Sequence, residues 1–126
     1  MSGKKILLVD DSGMARRGAR QILESAGYAV VEADDGLVAL ERFFLEKPDL
    51  VLLDLVMKGM NGLDVLQKLT EIDADARVIV VSADVQDSSR RLVEAGGAAG
   101  FLNKPVDRAA LLSAVTRVLE TGSSWS

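Results

Sequence analysis

The sequence predicts an α/β fold, a doubly wound parallel sheet of five strands with five helices, and three observations carry that expectation. Apolar runs alternate with stretches of helical periodicity from one end of the chain to the other. The run Leu50-Val51-Leu52-Leu53 is apolar at every position, as strands covered on both faces are. Connections between elements are short and no linker interrupts them, which favours βα units wound into one sheet.

The elements follow in order. Lys5 to Val9 reads as strand one, and Ala15, Ala19, Ile22, Leu23 and Ala26 repeat at helical spacing until Gly27 stops the helix. Tyr28 to Ala33 is strand two; Leu37, Leu40 and Phe44 mark a helix that ends before Pro48. Strand three ends at Asp54, and Leu63, Val65, Leu66 and Leu69 form the next helix. Arg77 to Ser82 is strand four. Helix four, Gln86 to Ala95, has the poorest apolar stripe and stops at Gly96-Gly97. Gly100 to Asn103 is a short strand five, and Leu111, Leu112, Val115, Val118 and Leu119 define the last helix. The segment 121–126 reads as a flexible tail and 4–120 as a single domain.

Composition narrows the chemistry. The 126 residues are 48% hydrophobic and 27% charged, which is globular. Nineteen acidic against fifteen basic residues leave a net charge of −4, so neither nucleic acid nor an anionic membrane is an expected partner. Arg16, Arg17 and Arg20, and then Arg90 and Arg91, read as solvated helix faces. With no Cys and no His, disulfides, thiol chemistry, the usual zinc ligands and the Ser-His type of nucleophile are excluded. The apolar run after Lys4-Lys5 stops at Asp10, too short for a signal peptide, and no segment reaches membrane-span length. A cytoplasmic protein is expected.

Asp54 is the anomaly, a carboxylate at the end of an apolar run, where burying an unpaired charge costs several kcal/mol or shifts its pKa. Asp10 and Asp11 end strand one, Ser82 ends strand four and Lys104 follows strand five. All lie at carboxyl ends of parallel strands, the edge where open α/β sheets bind ligands. If strands one and three are neighbours, the three Asp converge on one crevice flanked by Ser82 and Lys104. Three carboxylates repel unless a cation joins them, and Mg2+ suits one or two carboxylates with water and phosphate. A carboxylate can also attack phosphorus, a transfer that asks mainly for positioning and for cations. Each residue alone has a plainer reading: helix caps for Asp10, Asp11 and Ser12, a turn for Ser82, a surface lysine for Lys104. Asp54 fits no such reading, and the five together carry the argument.

These residues sit in the segments ILLVDDS, VEADDGLVAL, PDLVLLDLVMKGMNGLDVL, VIVVSA and AGGAAGFLNKP, and over about Lys4 to Glu120 the chain resembles a response-regulator receiver domain of the stand-alone CheY-like kind. The resemblance implies the flavodoxin-like strand order 2-1-3-4-5 and a two-component signalling role. Asp54 would be the phosphoacceptor, charged by a histidine kinase or a histidine phosphotransfer protein. Asp11 would bind Mg2+ directly, Asp10 largely through water, and the Val56 backbone carbonyl would add a ligand. Ser82 and Lys104 would contact phosphoryl oxygens, Phe101 would be the aromatic switch, and Lys104-Pro105 would be cis. Val56 and Asp84 would flank the path of hydrolytic water and tune the lifetime of the phosphorylated state. Asp34 and Asp35 fit a helix start and are left out of the site.

Three departures from the family pattern bear on kinetics and switching: Lys58 where Pro is common, Phe101 where Tyr is frequent, and Ser82 where Thr is common. The protein is expected to catalyse only its own phosphorylation and dephosphorylation. It would act as a monomer or a phosphorylation-dependent dimer and signal through the helix 4–strand 5–helix 5 face to an output partner that the sequence does not name, chemotaxis being one pathway among several. Of the rival readings, a phosphatase of the haloacid-dehalogenase type lacks its second Asp, because Val56 stands there. A receiver fold that has lost phosphorylation need not keep all five polar residues. The initiator Met and short tail favour a stand-alone protein over an excised domain.

Overall fold

The computed structural model describes residues 3–57, 61–83 and 87–125, with the backbone alone at 87 and 88. Five strands, β1 (Lys5–Val9), β2 (Ala29–Ala33), β3 (Leu50–Asp54), β4 (Val78–Ser82) and β5 (Gly100–Asn103), form one parallel sheet in the order β2-β1-β3-β4-β5. The helices are α1 (Gly13–Ser25), α2 (Gly36–Glu46), α3 (Gly62–Ile72), α4 (Asp87–Ala95) and α5 (Arg108–Thr121).

Strand periodicity explains the unbroken apolar runs. Ile6, Leu8, Leu50, Leu52, Ile79 and Val81 point to one face and pack with Leu23 of α1 and Leu111, Val115 and Val118 of α5. Their neighbours Leu7, Val9, Val51, Leu53, Val78 and Val80 point to the other, against Phe43 of α2, Leu66 and Leu69 of α3, and Val93 of α4. Every residue of β3 and β4 is buried, so Asp54 and Ser82 are polar ends on otherwise apolar strands. Ser12, Asp35, Asn61 and Asp107 each accept a backbone N–H of the first turn and start α1, α2, α3 and α5.

Some boundaries differ from the sequence reading. β2 starts at Ala29 because the Tyr28 N–H is taken by Leu23 O in the turn after α1, and β4 starts at Val78. The expected start of helix four at Gln86 lies outside the described residues; Val93 is fully buried and Leu92 is 58% exposed, in keeping with a weak stripe. The buried face of α2 is Ala39 and Phe43, while Leu37 and Phe44 face outward. Apolar residues surround most of that helix, so periodicity did not single out a face. α2 ends at Lys47, in a left-handed conformation at φ 49° ahead of Pro48.

The tail expected to fray is docked over 123–125. Ser124 N donates to Ala99 O at 2.8 Å, and Trp125 Nε1 donates to Ala98 O at 2.8 Å. The indole packs against the core cluster on the face of the sheet opposite α5. Gly100 makes room for Ser124: a Cβ there would lie 2.0 Å from Ser124 Oγ.

Candidate functional site

The sheet order places the ends of β1 and β3 side by side, with β4 and β5 next to β3. Asp10 continues the ladder of β1, its N–H donating to Ala33 O at 3.1 Å. Its Oδ1 accepts the Ser12 N–H at 2.9 Å, an Asx turn that swings the chain into α1. Asp54, the last residue of β3, is 7% exposed, and its Oδ1 accepts the Val56 N–H at 3.2 Å. Lys104 is brought over from the end of β5, its backbone N–H held by Ser82 O at 2.9 Å. Its Nζ lies between the two carboxylates, 2.8 Å from Asp10 Oδ2 and 3.2 Å from Asp54 Oδ2. The Lys104-Pro105 peptide is cis, as expected.

Asp11 is exposed at the rim, and carboxylate oxygens of Asp10, Asp11 and Asp54 all lie within 4.8 Å of one another. That donor set suits a hard divalent cation such as Mg2+, which takes oxygen ligands and tolerates a partly open site. Burial pushes the Asp54 carboxyl above its usual range; the Val56 N–H and the Lys104 charge pull it back, and the Asp10 charge adds to the rise. Burial opposes the charge on Lys104, but the hydrogen bond to Asp10 and the field of Asp54 outweigh it and raise its pKa.

The structure thus brings Asp10, Asp11, Asp54 and Lys104 together. Ser82 ends β4 with no exposed surface, one residue beyond the Asp54–Val81 pair of the sheet. Phe101 is buried beside Val80 on β5, further from the crevice. Val56 is 71% exposed at the rim, with its N–H turned to Asp54. Asp84 and Lys58 lie outside the described residues. Asp35 caps α2 and stays out of the site, as expected. Below the carboxylates a cavity of ≈ 530 Å³ opens between α1 and α5, lined by Leu8, Ala15, Ala19, Leu52 and Val106.

One arginine read as solvated is not: Arg16 is partly buried and bonds Asp10 O and Glu32. Arg90 is exposed, as expected, yet its Cζ stands 5.4 Å from the Phe101 ring centroid, a cation–π contact. Spacing along a helix cannot reveal either contact, because both partners lie on other elements.

Residues 6–116 match the family model described as response regulator receiver domain. The chain is 37% identical over 119 residues to the chemotaxis protein CheY of Thermotoga maritima, covering 92% of this chain and 98% of that one. It is 35% identical to sporulation initiation phosphotransferase F of Bacillus subtilis, covering 98% of this chain and 100% of that protein. Among solved structures, CheY in the CheX-CheY-BeF3-Mg+2 complex from Borrelia burgdorferi superposes with a TM-score of 0.88 at 34% identity, over 91% of this chain and 88% of that one.

Proposed function

The chain belongs to the response regulator receiver domain family, and from that premise we propose that it takes a phosphoryl group onto Asp54, with Mg2+, from a histidine kinase or a histidine phosphotransfer protein. The observation that carries the proposal is the Asp54 carboxylate, buried at the end of β3, with Lys104 Nζ at 3.2 Å and two further carboxylates within 4.8 Å. An Asp54 oxygen forms the bond to phosphorus as the bond from phosphorus to the donor nitrogen breaks, the electron pair staying on nitrogen. Lys104 holds a cation against the developing charge, and the Ser82 hydroxyl offers a donor from the next strand. Asp10, Asp11, Asp54 and the Val56 carbonyl would hold the Mg2+, which when bound neutralises phosphoryl oxygens. The complex of the Borrelia relative with BeF3 and Mg2+ supports the same assignment.

The test is intact mass after incubation with acetyl phosphate and Mg2+. One added phosphoryl group is expected, lost in Asp54→Asn and without Mg2+; labelling that persists in Asp54→Asn overturns the assignment.

The signal leaves through the face of α4, β5 and α5. Among the described side chains of α4 only Val93 is buried, and sparse contacts lower the cost of local rearrangement. Ser82 drawn toward the new phosphoryl group makes room for Phe101, a shift between two packings biased by charge. Chemical-shift changes on adding BeF3− and Mg2+ should extend from Ser89 to Asn103; changes confined to the crevice rim overturn this route. Relatives in chemotaxis and in sporulation phosphotransfer stand at similar identity, so a pull-down with the phosphorylated protein distinguishes motor from relay partners.

A further inference from the structure

Arg16 leaves α1 and reaches back over the end of β1, with its side chain only 19% exposed. Its Nη1 donates to the backbone carbonyl of Asp10, and its Nε donates to Glu32 Oε1 at 3.0 Å. Glu32 sits on β2 beside Leu8, two residues before Asp10, and its second oxygen accepts from Arg20 Nη1. Arg20 is in turn 3.2 Å from Glu24 on the next turn of α1. The guanidinium of Arg16 is therefore braced from β2 and ends on the peptide that joins two of the clustered carboxylate residues.

That peptide has a demanding task. Successive residues of a strand point to opposite faces, yet Asp10 and Asp11 bring oxygens to within 4.8 Å of each other and of Asp54. The chain must turn between them, and because the peptide is planar, the direction of the Asp10 carbonyl fixes where the Asp11 Cα and side chain go. One side of the turn is held by the Ser12 N–H on Asp10 Oδ1. The carbonyl on the other side is held by Arg16.

We propose that Arg16, braced by Glu32, is a positioning residue for the cation site: it holds the Asp10–Asp11 peptide so that both carboxylates face one divalent ion. This rests on the Mg2+ reading above. Charge alone argues the other way, since a guanidinium near a cation site weakens cation binding and its removal should tighten it. Positioning and charge thus predict opposite signs for the same substitution.

The experiment titrates Mg2+ alone into the full chain by calorimetry, for the parent, Arg16→Met and Arg16→Lys, with thermal unfolding in EDTA as a check on folding. Arg16→Met should bind Mg2+ about tenfold more weakly, the scale of outer-shell ligand support. Arg16→Lys keeps the charge on a single donor nitrogen but loses the fork that reaches Asp10 O and Glu32 together, and should fall between the two. Labelling of Asp54 at saturating Mg2+ should return to within about twofold of the parent, because the nucleophile is not what Arg16 holds. Arg16→Met binding Mg2+ as tightly as the parent, or more tightly, overturns the inference. If Arg16→Met does not fold, an Arg16→Lys affinity equal to the parent's overturns it. A parent that binds no Mg2+ overturns the Mg2+ reading itself, a result distinct from either.

Discussion

The two ends of the parallel sheet handle polar groups in opposite ways. At the carboxyl end, side-chain charges meet one another: Lys104 Nζ lies within 3.2 Å of both Asp10 and Asp54, with Asp11 at the rim. At the amino end one pair of opposite charges, Lys5 and Glu46, meets at 3.0 Å, and otherwise side chains close on backbone groups of distant segments. Lys5 N donates to Asp49 Oδ2, Arg77 Nη1 to Leu119 O, and Trp125 Nε1 to Ala98 O, each at 2.7 or 2.8 Å. The second arrangement satisfies backbone groups that would otherwise need water and ties α5 and the tail to the sheet. The first crowds like charges into a buried crevice, which costs stability and, on the function proposed above, would be offset by a bound cation. Substitutions at the amino end should therefore show in stability, and those at the carboxyl end chiefly in chemistry.

The largest expected effect breaks the amino end. Trp125→Ala removes a partly buried indole and leaves Ala98 O unpaired, and should lower unfolding stability by about 2 kcal/mol in urea melts while the rate of Asp54 labelling stays unchanged. An unaltered midpoint would mean the docked tail contributes nothing.

Val56→Asn probes the carboxyl end. Val56 sits exposed at the rim with no side-chain hydrogen bond to offer a water. An amide there should speed loss of the phosphoryl group about tenfold by placing the attacking water, with little change in melting temperature. The measurement is decay of the phosphorylated species after the donor is removed, with Mg2+ present throughout. Decay at the parent rate or slower would turn attention to Asp84.

Asp54→Asn sharpens the contrast by trading function for stability. Because burial lifts the Asp54 pKa above its unfolded value, the ionised form opposes folding, and stability is lost as pH rises through the folded pKa. At pH 7 in EDTA the Asn variant should be about 1 kcal/mol more stable than the parent. Added Mg2+ should narrow or reverse that order if, as proposed, the Asp54 carboxylate is one of its ligands.

The smallest effect lies in the Arg16–Glu32–Arg20 group between the ends. The hydrogen bond from Arg20, joined by that from Arg16, holds the Glu32 carboxyl below its ordinary value. The stabilisation is present above the unfolded pKa and lost as pH falls through the folded one. Glu32→Gln should cost about 0.5 kcal/mol at pH 7, and the gap to the parent should close below pH ~4 in acid unfolding curves.

Much of this was legible along the chain because it depends on local order. Strand alternation fixes which of Leu50 to Leu53 faces which core, and short βα connections fix the sense of winding. Parallel strands end on one edge, so Asp10, Asp54, Ser82 and Lys104 were bound to share it. What tertiary structure alone decided is pairing between elements far apart in sequence. The position of Lys104 Nζ between Asp10 and Asp54 spans 94 and 50 residues, and its distances depend on the register of β5 against β4. The face α2 buries, the grip of Arg16 on Asp10 O and the contact of Arg90 with Phe101 were hidden for the same reason. The tail shows the limit most plainly: Gly, Ser and Ser look like a flexible end, and only the carbonyls of Ala98 and Ala99, just before β5, and the space left by Gly100 turn them into a clasp. Periodicity reports which side of an element is apolar; which atoms close the remaining hydrogen bonds depends on which distant segment the fold brings within 3 Å.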